Sequence, residues 1–390
     1  MNKNLWLLAA AQGLFLTNNV VFITINGLVG LSLAPLGWMA TLPVMGYVVG
    51  GALSTPLVAR AQQRLGRQGS FQLGLLVALL SSLVCAAAVF VGSFWLLVAG
   101  TLVAGYYSAN GQLYRFAAAE LAAPPDREKA VSLVLAGGLV GAVLGPNLAV
   151  HTRALTAAPF AGAYLALAVL AVLSMGVMAL LRFPPPPPRG SAGDSGRPLS
   201  VIARQPVFIV AALGAALGYG VMNLLMAATP LAMQVCGLPF EDVALVLEWH
   251  VIGMFAPGFF TGHLIRRFGA LPVMGVGVAL NLACVGIALS GVNLHQFLAA
   301  LFLLGVGWNF LFTGSTTLAL KAWRPEEKDR AQAAINFGVF ATMAFTSFAS
   351  GALVTTRGWT WLNLGSLLPL ALLGAALWWL ARAPEARRAG

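Results

Sequence analysis

Phe183-Pro-Pro-Pro-Pro-Pro188-Arg-Gly-Ser-Ala-Gly-Asp-Ser-Gly-Arg-Pro198-Leu-Ser200 is the one long stretch of this 390-residue chain that suits neither hydrocarbon nor a packed core. Its five prolines lack backbone donors and lock φ, so a helix must stop there. The Gly/Ser/Arg tail that follows has the composition of a flexible linker. The stretch lies near the midpoint of the chain, and long apolar runs approach it from both sides. The reading is therefore two similar membrane halves, 1–183 and 201–390, joined by a cytoplasmic linker, 184–200.

Composition supports this. Charged residues make up 8% of the chain and hydrophobic ones 59%, whereas soluble domains carry roughly 25% charge. An ordinary soluble enzyme is excluded. The apolar matter falls into blocks of about 20 residues, the length that crosses a bilayer. Hydropathy places about twelve spans: 5–30, 37–60, 71–92, 95–120, 130–151, 159–182, 205–235, 242–265, 270–291, 295–321, 329–355 and 358–382. The expected class is an all-α membrane protein with two six-helix bundles. The start, Met1-Asn-Lys-Asn-Leu-Trp6, has no small-residue cleavage site and reads as the beginning of a first span, not a removed signal peptide. Cys85, Cys236 and Cys284 have no metal spacing and read as small buried hydrophobes.

Nineteen Lys and Arg fall in one set of loops, and only Arg153 and Arg357 in the other. That asymmetry puts the N-terminus, the linker and the C-terminus in the cytoplasm. It also accounts for the net charge of +11 without a nucleic-acid partner.

The halves repeat a signal. Arg60-Ala-Gln-Gln-Arg64-Leu-Gly66-Arg67-Gln68 follows the second span, and Gly262-His-Leu-Ile-Arg266-Arg267-Phe-Gly269 follows the eighth. Each is a short basic turn with glycine at the matching place of its half, the mark of an internal duplication. Span five carries Gly137-Gly138-Leu-Val-Gly141-Ala-Val-Leu-Gly145-Pro146, where small residues four apart allow helices to approach closely.

On these residues the chain resembles the major facilitator superfamily over essentially its whole length. The 262–269 turn is similar to that family's loop signature. The 60–68 copy departs from it, with Gln63 where the family has Asp, which weakens the expected charge relay. The span-five element is similar to one found in antiporters of the superfamily. Tyr114-Arg115-Phe116, Glu248-Trp249-His250 and Gly307-Trp308-Asn309-Phe310 resemble a bacterial branch with riboflavin-transporter-like members. The resemblance implies alternating access, with spans one, four, seven and ten lining a central cavity. It also implies a monomer in the bacterial inner membrane.

Candidate site residues follow. Glu248 is the one acidic residue placed inside a span, and intramembrane ionisable groups tend to be functional. It is the candidate proton carrier, with His250 two residues on and on a different face; a solvated vestibule carboxylate and a hydrogen-bonded interior histidine are the competing readings. Arg115, Gly66, Arg67, Gly141, Gly145, Pro146, Gly262, Arg266, Arg267 and Gly269 are candidates for gating. Substrate contact is expected from Asn18, Asn19, Tyr106, Tyr107, Asn110, Tyr219, Asn223, Trp308, Asn309 and Asn336. For each amide alone, a helix–helix hydrogen bond is an equal alternative. Amides and aromatic rings with almost no fixed charge suit a neutral or weakly charged, partly aromatic small molecule.

The expected function is secondary transport, with proton-coupled multidrug or metabolite export and import of a riboflavin-like vitamin both open. There is no catalytic group, metal or cofactor in this reading. Glu248 and His250 are too few for a membrane enzyme. A non-transporting receptor or scaffold is the alternative from another class. The partners expected are the substrate, the bilayer and a coupling proton.

Overall fold

The computed structural model describes residues 3–123, 127–183, 196–324 and 327–382, and the side chains at 119, 127–129, 132, 328 and 329 are outside that description. Linker residues 184–195 lie outside the described residues, as do the basic Arg189, Arg387 and Arg388. In chain order the helices are α1 (Lys3–Leu33), α2 (Leu42–Phe90), α3 (Phe94–Gly111), α4 (Tyr114–Leu121), α5 (Arg127–Thr152), α6 (Ala161–Ala179) and α7 (Leu199–Ile202). They continue with α8 (Pro206–Val235), α9 (Phe240–Phe255), α10 (Gly258–Phe268), α11 (Ala270–Ser290), α12 (Leu294–Ala319), α13 (Lys328–Thr356) and α14 (Gly358–Arg382). No strand occurs among the described residues.

Nine helices among the described residues are long and apolar enough to cross a membrane, or ten when α9 and α10, bent by 41° at a short break, count as one span. The remaining two spans have local explanations. Helix α2 has 49 residues, about 74 Å at ~1.5 Å per residue, more than twice the ~30 Å hydrocarbon layer. Gly66 interrupts it with φ 69° and ψ −179°, so its two arms are separate spans meeting at a corner. Helix α3, at 18 residues, ends in the polar run Tyr106-Tyr107-Ser108-Ala109-Asn110, which lowers its apolarity. With the two arms of α2 and helix α3 taken separately, the helices fall where the twelve expected spans were drawn. Large side chains such as Leu53, Phe345 and Trp378 stand more than half exposed. That pattern is costly in water and free in a bilayer.

The corner at Gly66 has a twin. Gly269, between α10 and α11, has φ 87°. Both basic turns singled out in the sequence therefore pivot on a glycine in a conformation that L side chains rarely adopt.

By packing, the chain forms two compact units: Met1–Pro188 with Ala227–Glu248, and Arg189–Met226 with Trp249–Gly390. The division falls inside α8 and inside α9. In the first unit α1 packs on α5 through the span-five glycines. A Cβ on Gly137 would lie 2.2 Å from the Ala9 carbonyl oxygen, and one on Gly141 would lie 2.6 Å from both the Gly13 oxygen and the Thr17 nitrogen. The two backbones are nearly in contact, as small residues spaced by four permit.

In the second unit a buried core of Val210, Met274, Leu311, Leu373 and Leu377 joins α8, α11, α12 and α14. One expectation is corrected here. Cys85 and Cys284 are buried, but Cys236 is exposed. Helix α8 ends at Val235, and Gly237 turns the chain with φ 76°, so the apolar run around Cys236 leaves the packed helix at that point.

Candidate functional site

Most of the mid-span amides have partners within their own unit. In the first unit, Asn19 on α1 accepts from the Tyr47 hydroxyl on α2, and Tyr47 stacks on Phe22 with centroids 5.0 Å apart. Asn110 on α3 is fully buried; its Oδ1 accepts from Ser70 Oγ at 3.1 Å, and its Nδ2 donates to the Tyr106 carbonyl at 3.3 Å. Tyr107 is buried against Phe15, ring edge to ring face, at 5.3 Å. Asn18 is buried, while Tyr106 keeps part of its surface open. Sequence reasoning missed Tyr47, and also Asn26, which accepts from the Tyr164 hydroxyl. Tyr164 gave no signal beyond being a lone phenol in an apolar run.

The second unit has the same logic. Asn223 on α8 donates to Thr346 Oγ1 at 2.9 Å, to Ser347 Oγ at 2.8 Å and to the Met343 carbonyl at 3.1 Å, tying α8 to α13. Asn309 on α12 donates to the Met254 carbonyl at 2.8 Å and accepts from Thr261 Oγ1 at 2.7 Å. Those two bonds bracket the break between α9 and α10 at Pro257, whose ring cannot supply a backbone donor. Asn309 thus satisfies a terminal carbonyl of α9 at the proline bend. Asn336 on α13 is exposed within a span, where an amide needs water or a polar ligand.

An aromatic group lies beside Asn309. Trp308 stacks on Phe312 at 5.2 Å with planes 9° apart. Tyr219 meets Trp308 edge-on at 5.2 Å and Phe312 at 5.6 Å, and Phe255 meets Trp308 at 6.2 Å. Tyr219 and Trp308 were expected from the sequence, whereas Phe255 and Phe312 were not, because phenylalanine in a membrane span carries no signal of its own.

The ionisable candidates separate. Glu248 on α9 accepts from Asn147 Nδ2 at 3.0 Å, and Asn147 directly follows Pro146 of the span-five element. Arg153, just past α5, pairs with Glu241 at 2.8 Å and lies over the Phe240 ring at 5.0 Å. Both ties belong to the first unit. His250 is fully buried in the second, its Nδ1 bonded to the Leu301 carbonyl at 2.7 Å. Since a carbonyl only accepts, Nδ1 carries the proton there.

On the basic turns, Arg67 grips Glu120 of α4 through two nitrogens and also reaches Gln62. A bidentate pair of this kind fixes geometry as well as charge. The guanidinium of Arg115 lies over the Phe116 ring at 4.9 Å, while Glu120 is held by Arg67. Arg266 and Arg267 are exposed in the last turn of α10, with Arg267 over Phe268 at 5.2 Å.

A second clasp was missed by the sequence reading. Glu327, buried between α12 and α13, accepts from Arg197 Nε at 2.9 Å, from its Nη2 at 2.8 Å and from its backbone nitrogen at 2.7 Å. The Arg324 backbone nitrogen adds a fourth bond at 3.0 Å. The guanidinium and these amides hold the Glu327 carboxyl well below the usual carboxylate range and raise Arg197. Among the described residues no group of three or more His, Cys, Asp or Glu could hold a metal.

Membrane-length helices, duplicated basic corners and a nearly uncharged aromatic-and-amide interior define a multi-pass membrane protein of the carrier type. Comparison with known proteins agrees. The profile described as Major Facilitator Superfamily matches residues 5–257 and 213–390, and the chain belongs to that superfamily. It is 39% identical over 363 residues to the riboflavin transporter RfnT of Brucella anthropi, covering 93% of this chain and 91% of that protein. It is 26% identical to the uncharacterized MFS-type transporter YddS of Bacillus subtilis, covering 93% of this chain and 87% of that one. The crystal structure of the POT family transporter PepTSo superposes with a TM-score of 0.75 at 12% identity, covering 96% of this chain and 98% of that one. At that identity the likeness concerns the fold alone.

Proposed function

We propose that the protein is a secondary active transporter of a small, neutral or weakly charged, partly aromatic molecule, and that a riboflavin-like vitamin is the substrate class. The observation that carries this is the ring group of Tyr219, Phe255, Trp308 and Phe312. It lies on α8, α9 and α12, and the whole length of α8 and of α12 carries no Asp, Glu, Lys or Arg. Flat rings stack on such groups. The 39% identical relative, a riboflavin transporter, points the same way.

In this reading the bundles 1–183 and 201–390 move by rocker-switch alternating access, joined by the linker 184–200. In the second unit Tyr219, Trp308 and Asn336 touch the substrate, and Asn223 and Asn309 hold the helices that present them; in the first unit Asn19, Tyr107 and Asn110 brace α1, α2 and α3, and Asn18 and Tyr106 are its contact candidates. Gly66 and Gly269 are the corners of the gating turns, with Gly262, Arg67, Arg115, Arg266 and Arg267 around them. Gly141, Gly145 and Pro146 form the seam between α1 and α5. The protein is a monomer in the bacterial inner membrane with both termini cytoplasmic, by the loop-charge asymmetry.

A second reading, proton-coupled export, draws on one contact. The Asn147–Glu248 bond joins the span-five element to the intramembrane carboxylate, and Glu248 would carry the coupling proton with His250 on the same helix. Proteoliposomes loaded at one pH and diluted into another test both readings. Radiolabelled riboflavin should enter down its gradient, and an imposed proton gradient should drive accumulation in the wild type but not in Glu248→Gln. Gradient-independent uptake by both would remove the proton role. No uptake of flavin in either direction would remove the substrate class.

A further inference from the structure

We infer that Tyr219, Phe255, Trp308 and Phe312 form a ring-binding subsite inside the second unit, and that it takes a neutral planar heteroaromatic group whose ring nitrogen or carbonyl accepts from the Trp308 N–H. This deepens the transport reading and rests on it only for the identity of the ligand.

Three observations support it. First, Trp308 is 6% exposed and its Nε1 has no hydrogen-bond partner among the described residues. A buried donor left unpaired is costly, and native structures nearly always satisfy such groups with protein, water or ligand. Second, the N–H itself is covered, but the rings that cover it keep surface of their own, so a ligand reaches the donor by displacing one of them. Tyr219, Phe255 and Phe312 are all half-buried, so each keeps free surface for a flat partner. Their arrangement is specific: Phe312 lies parallel to the indole, with Tyr219 and Phe255 at steep angles to it. A planar ligand extends the parallel stack and meets the edges of the other two rings, the two geometries that aromatic pairs favour. Third, neighbouring polar groups are already engaged. Asn309 bonds Met254 and Thr261, and Asn223 bonds Thr346 and Ser347. The Trp308 N–H is thus a directional donor left unpaired beside amides that are already engaged. Helices α8 and α12 carry no fixed charge along their length, so a phosphorylated ring would enter without a counter-charge and is refused.

The test is equilibrium binding to the purified full-length protein in detergent, read by quenching of ligand fluorescence. The probes are riboflavin, lumichrome (the ring system without its sugar-alcohol chain) and riboflavin 5′-phosphate. Riboflavin and lumichrome should bind, and the phosphate ester should not. Trp308→Phe keeps an apolar ring and loses the donor, and should weaken both ligands by the same factor, on the order of tenfold for one buried hydrogen bond. Phe312→Leu should weaken both by roughly two- to tenfold through lost stacking. Phe255→Leu, at a half-buried position, serves if a variant at 308 melts early without ligand.

Unchanged affinity in the folded variants overturns the subsite, even if the wild type transports flavin. Riboflavin binding without lumichrome binding also overturns it, since the ring would then not be the anchored part. If neither flavin binds but another neutral planar heterocycle such as acridone does, with the same loss on Trp308→Phe, the subsite stands and the vitamin reading fails.

Discussion

Gly141→Ala tests the seam between α1 and α5. A Cβ there would lie 2.6 Å from the Gly13 oxygen and 2.6 Å from the Thr17 nitrogen, against the 3.4 Å at which ordinary contact begins. Both obstacles are backbone atoms and cannot rotate away. The helices must part by about 0.8 Å at this level. A radial gap of ~0.5–1 Å forfeits a quarter to a half of each dispersion contact along the seam. Overpacking of this kind costs about 1–3 kcal/mol, offset by the ~1 kcal/mol helix preference of alanine over glycine. A net loss of up to about 2 kcal/mol is expected, seen as a lower melting temperature of the purified protein in detergent.

Gly176→Ala on α6 is the control. Nothing lies within 4 Å of its Cβ position, so it gains the helix preference with no steric loss and should melt at or above the wild type. If Gly141→Ala melts as high as Gly176→Ala, the close approach of α1 and α5 does not exist. A Gly141→Ala that melts low yet transports normally would keep the packing and remove the gating role of the span-five element.

Two further outcomes follow from the described bonds. Asn223→Leu removes a donor shared by Thr346, Ser347 and the Met343 carbonyl and should destabilise the protein by roughly 1–2 kcal/mol. The exposed Asn336→Leu should leave the melting temperature unchanged, and equal effects would refute the distinction between the two amides. For Glu327, the folded carboxyl titrates below its unfolded value. Its contribution is therefore fully present above ~4.3, the unfolded value, and is lost only as pH falls through the folded one. The melting difference between wild type and Glu327→Gln should stay constant from about pH 8 to 5 and shrink only in stronger acid. A difference that grows on acidification from neutral would contradict the clasp.

Much of the fold was legible because hydropathy reports how long a run of chain can stay out of water. Each of the twelve expected spans overlaps a described helix or one arm of α2, and Gly66 and Gly269 announced both corners. What periodicity and composition do not report is which group faces which. Glu120 is 53 positions from the Arg67 that holds it, and Glu327 is 130 from Arg197. Neither pairing leaves a mark in local sequence. The amides were recognisable as functional or structural, but only packing shows that Asn223 and Asn309 spend their donors on neighbouring helices and that Asn110 accepts from Ser70 of α2. Phe255 and Phe312 were invisible among 22 phenylalanines, since their meaning comes from what they surround. Cys236 misled because an apolar neighbourhood in sequence says nothing of where a helix stops.

The bend at Pro257 has a mechanical corollary. Beyond it, α10 is a lever of 11 residues, about 16 Å long at ~1.5 Å per residue, with Arg266 and Arg267 at its tip. Its pivot is pinned by a side chain of α12, and the adjacent residue on α12 is Trp308. The indole at 308 therefore stands one peptide link from the amide that ties both sides of the bend to α12, so a change of side chain at 308 is felt where α9 meets α10.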